Sequence, residues 1–295
     1  MRRPVFLIFT NAMILIVIFA LLTQSLVIVQ RLATPVKLQG LVEVQRSGKG
    51  DFTPLSNNTP IKTGDVVRSG KDGIAEFKWV DGTRWKIMPN TEIIVKKATA
   101  NWIKKADTSE LELTTGKVFI RIMKELTPAS KFEVETPTAV AAVRGTIFSV
   151  EVAHGQTQVA VFKGHVKVTS GDSHHEAMIN PGQAAVSAQV GALETISSAT
   201  ADAQFASQPT IIQPELTARI TQIGTENKAL VRGTTEAGDI VTVNDNPVQI
   251  LSNGLFNHRV TLQPGQNIFN VVTLDRHGVK TTKVLTFTMP KEICN

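Results

Sequence analysis

The 295-residue sequence contains no tyrosine, three tryptophans and one cysteine. The cysteine is Cys294, one residue from the end, so an internal disulfide is excluded, and with it a disulfide-dense scaffold or a cysteine-ligated zinc cluster. Aromatic residues make up 5% of the chain and are nowhere interleaved with a dense basic stripe, which argues against a stacking groove for nucleic acid. Catalytic signatures are also missing. There is no Gly-x-Ser-x-Gly elbow, no Ser-x-x-Lys, no phosphate loop and no His-Glu-x-x-His. His174-His175-Glu176 is the sole histidine cluster. On a strand its adjacent side chains would point to opposite faces, so it makes a poor ligand set. The pairs Glu110 and Glu112, and Glu133 and Glu135, read as solvated strand faces rather than acid–base pairs. The expectation is a protein that is not an enzyme and holds no cofactor or metal.

What is present points to strands. Valine, isoleucine and threonine are plentiful, and 20 glycines and 13 prolines recur at short intervals. The net charge of +6 divides into +3 over residues 1–35, +4 over 36–190 and −1 over 191–295. The mildly basic middle would attract anionic envelope polymers weakly and in a salt-sensitive way.

Residues 5–29 form an apolar run broken by Thr10, Asn11 and Thr23-Gln24-Ser25. As a helix at about 1.5 Å per residue, this run exceeds a hydrocarbon core of about 30 Å. Arg2 and Arg3 favour keeping the four-residue tail, 1–4, inside the cell. The run therefore predicts one N-terminal transmembrane helix in the cytoplasmic membrane, with the bulk of the chain on the periplasmic side. The alternative is a cleaved signal peptide, but the run is long for one and lacks a clean small-x-small site.

Short strand signals fill residues 36–190. Ile74-Ala75-Glu76-Phe77-Lys78-Trp79 alternates, Asp81-Gly82 marks a hairpin, and Trp85-Lys86-Ile87 continues beyond it. Facing Trp79 with Trp85 and Phe77 with Ile87 requires a turn longer than two residues. Residues 111–113 and 117–122 flank Thr114-Thr115-Gly116 as a further strand pair. Residues 147–152, 158–162 and 165–168 read as an antiparallel meander with turns at His154-Gly155 and Lys163-Gly164.

An ordered motif set runs through this region. It comprises Thr63-Gly64-Asp65, Asp81-Gly82-Thr83, Leu113-x-x-Gly116-Lys117-Val118, Phe132-x-Val134-x-Thr136-Pro137, Val143-Arg144-Gly145-Thr146-x-Phe148, Val161-x-x-Gly164-x-Val166 and Pro181-Gly182-Gln183. In this set the segment resembles the FecR domain, named for the ferric-citrate sensor-regulator of bacterial envelopes. Thr136, Pro137, Val143, Arg144, Gly145, Thr146, Phe148 and Gly164 are the family-motif residues, with a structural or partner-binding role. Pro137 ends a strand and Gly145 permits a positive φ. Arg144 would brace neighbouring carbonyls or a carboxylate with its planar fork; the alternative is a surface fork for a partner. The best-known relatives carry a long cytoplasmic segment that engages a sigma factor. Four residues cannot build a surface of about 800 Å², so direct sigma-factor binding is not expected.

Residues 196–214 are rich in Ser, Ala, Thr, Gln and Pro and read as an exposed linker, with a short helix near 199–205. Seven strand signals follow in 215–290. With Val231-x-Gly233-x-Thr235, Val241-x-Val243-Asn244 and Phe256-x-x-x-Val260-x-Leu262, they resemble bacterial Ig-like modules. Phe256, Phe269 and Phe287 are expected in its core rather than on a sugar-binding platform.

The fold expected is all-β: a FecR-type domain, then an Ig-like β-sandwich, preceded by one transmembrane helix. The function expected is a membrane-anchored extracytoplasmic binding or scaffold protein of a bacterial envelope. Its partners would be the membrane and an envelope protein or polysaccharide, with no nucleic acid. The alternatives are an envelope sensor that signals through a separate membrane partner, or a polysaccharide-binding accessory protein.

Overall fold

The computed structural model describes residue 13 and residues 28–123, 127–172, 175–188, 193–197, 213–224, 227–236, 238–275 and 279–290. Of the predicted helix 5–29, Met13 is helical, while Ile28 and Val29 open a strand, Ile28–Gln30; the rest lies outside the described residues. No helix among the described residues is long and apolar enough to cross a membrane. The short helix near 199–205 also lies outside them.

Two β modules follow. The first is a 17-stranded network from Ile28 to Ser197, wider than 36–190 at both ends. It consists of two sheets that share the 16-residue strand Ala106–Arg121. The first half of that strand pairs antiparallel with Glu92–Asn101 and parallel with Lys131–Glu135. Its second half pairs with Arg84–Ile87 and Ile147–Ala153. The expected hairpin at Thr114-Thr115-Gly116 is thus one continuous strand changing sheets. Gly116 makes this possible: its φ is +86°, and a Cβ there would lie 2.5 Å from Thr91 Cα and 2.6 Å from Asn90 O. Only glycine combines that angle with that approach.

An aromatic chain fills the space between the sheets. Phe77 stacks on Trp85 at 4.0 Å, Trp85 lies 5.9 Å from Trp79, and Phe132 bridges edge-on to Trp79 and Phe148. The sequence places Phe77, Trp79, Trp85 and Ile87 on one face correctly, but the pairing differs. Phe77 faces Trp85 and Ala75 faces Ile87. The loop holds three residues, Val80, Asp81 and Gly82, closed by Trp79 N–H donating to Thr83 O at 2.9 Å. That extra residue preserves the inward parity of the aromatics while sliding the register.

The second module has seven strands in two sheets. The strands Leu216–Gln222, Lys228–Thr235 and Leu255–Thr261 form one. The strands Asn246–Val248, Ile240–Val243, Gly265–Leu274 and Lys280–Met289 form the other. Alternate residues of both meet in one core around Val231, Val241, Phe256, Phe269, Val271 and Leu285, with Phe287 packed against it. The linker prediction is corrected at both of its ends. Ile196 belongs to the strand Leu193–Ser197, and Pro214 is buried, its carbonyl accepting from Thr281 Oγ1 at 2.9 Å.

Candidate functional site

The two modules meet through a buried ionic joint. On the outer face of the first module, Arg84 and Arg121 sit directly opposite each other on neighbouring strands. Like charges in that position repel. The second module supplies the neutralising carboxylates. Glu236 lies between the two guanidinium groups, 3.3 Å from Arg84 Nε and 3.2 Å from an Arg121 terminal nitrogen. Asp275 pairs with Arg121 at 2.7 Å, and both side chains are 0% exposed. Glu215 pairs with Arg84 and, at 3.0 Å, with Lys78, while Glu76 holds Arg84 from within its own sheet at 2.9 Å. Arg121 also donates to Gln213 O at 3.0 Å. Beside the charges, Val279 packs against the cluster of Phe119 and Ile147, as do Met88 and Phe162.

Hydroxyls support the carboxylate side. Asp239 accepts from Thr235 Oγ1 at 2.7 Å and from Thr273 Oγ1 at 3.2 Å. Asp275 accepts from the Val279 N–H at 2.7 Å, which fixes its side chain toward Arg121.

The family-motif residues form a different structure at the edge between the two sheets of the first module. The chain leaves one sheet at Val143 and enters the other at Ile147 through Arg144, Gly145 and Thr146. It returns between Lys163 and Val166 through Gly164 and His165. Lys163-Gly164 is therefore a crossover and not the hairpin turn of a meander, because Val166–Ser170 pairs with Ala139–Val143 instead of with Gln156–Lys163. The two crossovers are stacked. Thr146 Oγ1 donates to His165 O at 3.0 Å, and the Ile122 N–H donates to Thr146 O. Gly145 and Gly164 have φ of +62° and +78°, and a Cβ on Gly164 would lie 2.7 Å from Gly145 O. Thr136 closes the turn before Ala139 by accepting its N–H at 2.9 Å and meets Thr157 Oγ1 at 2.7 Å. Pro137 is exposed in that turn; Val143 and Phe148 are core. Arg144 is exposed, whereas Thr146 beside it is buried.

Residues 65–167 match the family model described as FecR protein. The first module carries a FecR domain. Residues 214–290 match the model described as glucodextranase, domain B. Among solved structures, a candidate anti-sigma factor from Parabacteroides distasonis ATCC 8503 is 18% identical over 49% of this chain and 63% of its own, with a TM-score of 0.38. The chain thus spans less than two thirds of that protein. A second structure of a candidate anti-sigma factor from the same organism is 10% identical over 76% of this chain and 99% of its own, with a TM-score of 0.39. A polysaccharide lyase is 10% identical over 85% of this chain and 39% of its own, with a TM-score of 0.22. No curated protein matches.

Within the FecR domain the two glutamate pairs lie in an ion-paired ladder. The parallel register sets Glu133 beside Glu110 and Glu135 beside Glu112. Lys131 bridges the first pair at 2.7 and 3.3 Å, and Lys96 the second at 3.7 and 3.0 Å. His174 lies outside the described residues, and His175 is exposed. Among the described residues no group of three His, Cys, Asp or Glu could hold a metal ion.

The crossover geometry sets two expectations. Gly164→Ala forces a side chain into a left-handed backbone against Gly145 O, at a cost of about 1–3 kcal/mol in urea unfolding. Arg144→Ala is expected to leave a folded protein within about 1 kcal/mol of the parent, because the side chain is exposed.

The joint between the FecR domain and the second module carries opposed acid responses. Burial works against the Glu215 carboxylate, but hydrogen bonds and charge from Arg84 and Lys78 outweigh it and hold the group below its ordinary value. Glu236 is pushed up by burial despite Arg121 and Arg84, and Asp239 is pushed up by burial despite its hydroxyl partners. Burial also disfavours the Arg84 charge, yet Glu236, Glu215 and Glu76 together raise it. The stability from Glu215 is present above the ordinary glutamate range and is lost as pH falls through its lowered value. That from Glu236 and Asp239 has the reverse sign: it is full below the ordinary range and lost as pH rises through the raised values. Glu215→Gln should therefore weaken the loss of stability on acidification, and Glu236→Gln should weaken the loss as pH rises above the ordinary glutamate range. Thermal unfolding followed from below the ordinary carboxylate range to above it reads both.

Proposed function

We propose that the chain is a non-enzymatic, membrane-tethered binding protein on the extracytoplasmic side of a bacterial envelope. In this reading the FecR domain holds the second module in one fixed pose for a partner. The observation that carries it is the ionic joint. Arg84 and Arg121 repel each other unless Glu236 and Asp275 arrive from the second module, so the chemistry selects a single docked arrangement. The apolar run 5–29 ends where the first strand begins, which supports a tether leading straight into the FecR domain.

The FecR match favours a second reading, in which the same pair of modules senses an envelope component and passes the signal to a separate membrane protein. In-cell cross-linking followed by mass spectrometry of the membrane fraction tests both. Wall, polysaccharide-assembly or surface components on the second module support the binding reading. A membrane signalling protein or a receptor supports the sensing reading. Recovery of the chain in the cytosolic fraction would contradict both.

A further inference from the structure

The FecR domain carries an exposed apolar tip that its own core does not explain. The hairpin between Glu92–Asn101 and Ala106–Arg121 turns through Trp102, Ile103, Lys104 and Lys105. Trp102 is 72% exposed and Ile103 77%, whereas Trp79 and Trp85 are 1% and 0% exposed. The turn is well formed: the Lys104 N–H donates to Asn101 Oδ1 at 2.9 Å, and Lys105 adopts a φ of +47°. Neither lysine has an ion-pair partner among the described residues.

The position of this tip is set by the start of the described chain. Ile28 pairs with Asn101, Val29 with Ala100 and Gln30 with Thr99, so the chain enters the fold beside the hairpin turn. Ile28, Val29 and Leu32 are exposed there and extend the apolar surface. Arg31 then locks this entry in place. Its backbone N–H donates to Ala98 O at 2.8 Å, and its guanidinium donates to Ser109 Oγ, pairs with Asp81 and lies 5.2 Å from the Trp79 ring centre. No spacer separates the apolar run 5–29 from this strand. A tryptophan and an isoleucine beside two lysines, at the mouth of an apolar span, have the chemistry of the headgroup zone. Amphipathic rings favour that depth, and ammonium groups favour anionic phosphates.

We propose that the turn at residues 102–105 is a membrane-interface foot, with Trp102 and Ile103 seated among lipid headgroups and Lys104 and Lys105 against their anionic phosphates. The foot rests on the tether reading above, and it fixes the orientation of the FecR domain on the bilayer instead of leaving the domain to swing. Two contacts, the span and the foot, restrict rotation where one would not.

The full-length protein reconstituted in vesicles of phosphatidylcholine and phosphatidylglycerol tests this, because residues 5–29 contain no tryptophan and the other two indoles are buried. Lipids brominated near the headgroup should quench a blue-shifted component of the emission that Trp102→Phe removes. Lys104→Glu with Lys105→Glu should reduce that quenching. Carbonate extraction separates this inference from the tether. A carbonate-resistant chain with an unquenched Trp102 overturns the foot and leaves the tether standing. A stripped chain with a quenched Trp102 overturns the tether and leaves the foot. Emission that shifts with protein concentration but resists brominated lipid assigns the tip to a second copy of the chain and overturns the foot.

Discussion

Replacing Arg121 by alanine is expected to lower the unfolding free energy by about 3–5 kcal/mol, among the largest losses available from one side chain in this protein. The guanidinium is fully buried, pairs with Asp275 and Glu236 of the second module, and donates to Gln213 O. Its removal leaves two buried carboxylates short of their counter-charge, and the cost is chiefly that of the orphaned anions rather than of a lost attraction. A double-mutant cycle separates these. Asp275→Ala alone should also be costly, but Arg121→Ala with Asp275→Ala should cost at least about 1 kcal/mol less than the sum, since the second substitution removes an anion the first has stranded. Strict additivity would mean that the 2.7 Å contact carries no coupling.

The second large effect lies in the aromatic core. Trp85→Ala should cost about 3–5 kcal/mol, because the ring is fully buried, stacks on Phe77 at 4.0 Å and supports Trp79. Trp85→Phe should cost under about 1.5 kcal/mol. The indole N–H finds no acceptor among the described residues, so the conservative change removes an unsatisfied donor along with some volume. Urea unfolding of both variants checks the pair. A Phe variant as damaged as the Ala variant would mean that the indole nitrogen matters and ring packing does not.

Which features the sequence could reveal follows from how local their causes are. Most strands of the second module are legible because turns such as Asn253-Gly254 carry their own signal, but the short strand expected at 248–251 lies at Asn246–Val248, since Asn244-Asp245 alone makes the turn before it. The aromatic face of the FecR domain is legible from strict alternation. Register was less so, since a loop one residue longer than Asp81-Gly82 preserves that alternation. The Thr114-Thr115-Gly116 run resembles a turn, and its reading as a strand bend depends on the distant packing of Thr91 against Gly116. The stacked crossovers at Gly145 and Gly164 are likewise a product of tertiary contact between segments about twenty residues apart.

The ionic joint was missed, although one signal for it exists. Phe119 and Arg121 occupy one face of a strand whose other face holds Val118 and Ile120. A strand apolar on both sides is covered on both sides, and an arginine on the outer face then needs a buried anion. The sequence does not say that the anion is Glu236 or Asp275, more than a hundred residues away, because that is a property of docking and not of either module.

Equilibrium unfolding of the unmodified full-length chain, followed at once by tryptophan emission and far-ultraviolet circular dichroism, tests the coupling of the two modules most directly. All three tryptophans lie in the FecR domain, so emission reports that module alone while dichroism reports both. The ionic joint predicts one coincident transition, which Arg121→Ala separates into two. Two separated transitions in the unmodified chain would contradict it.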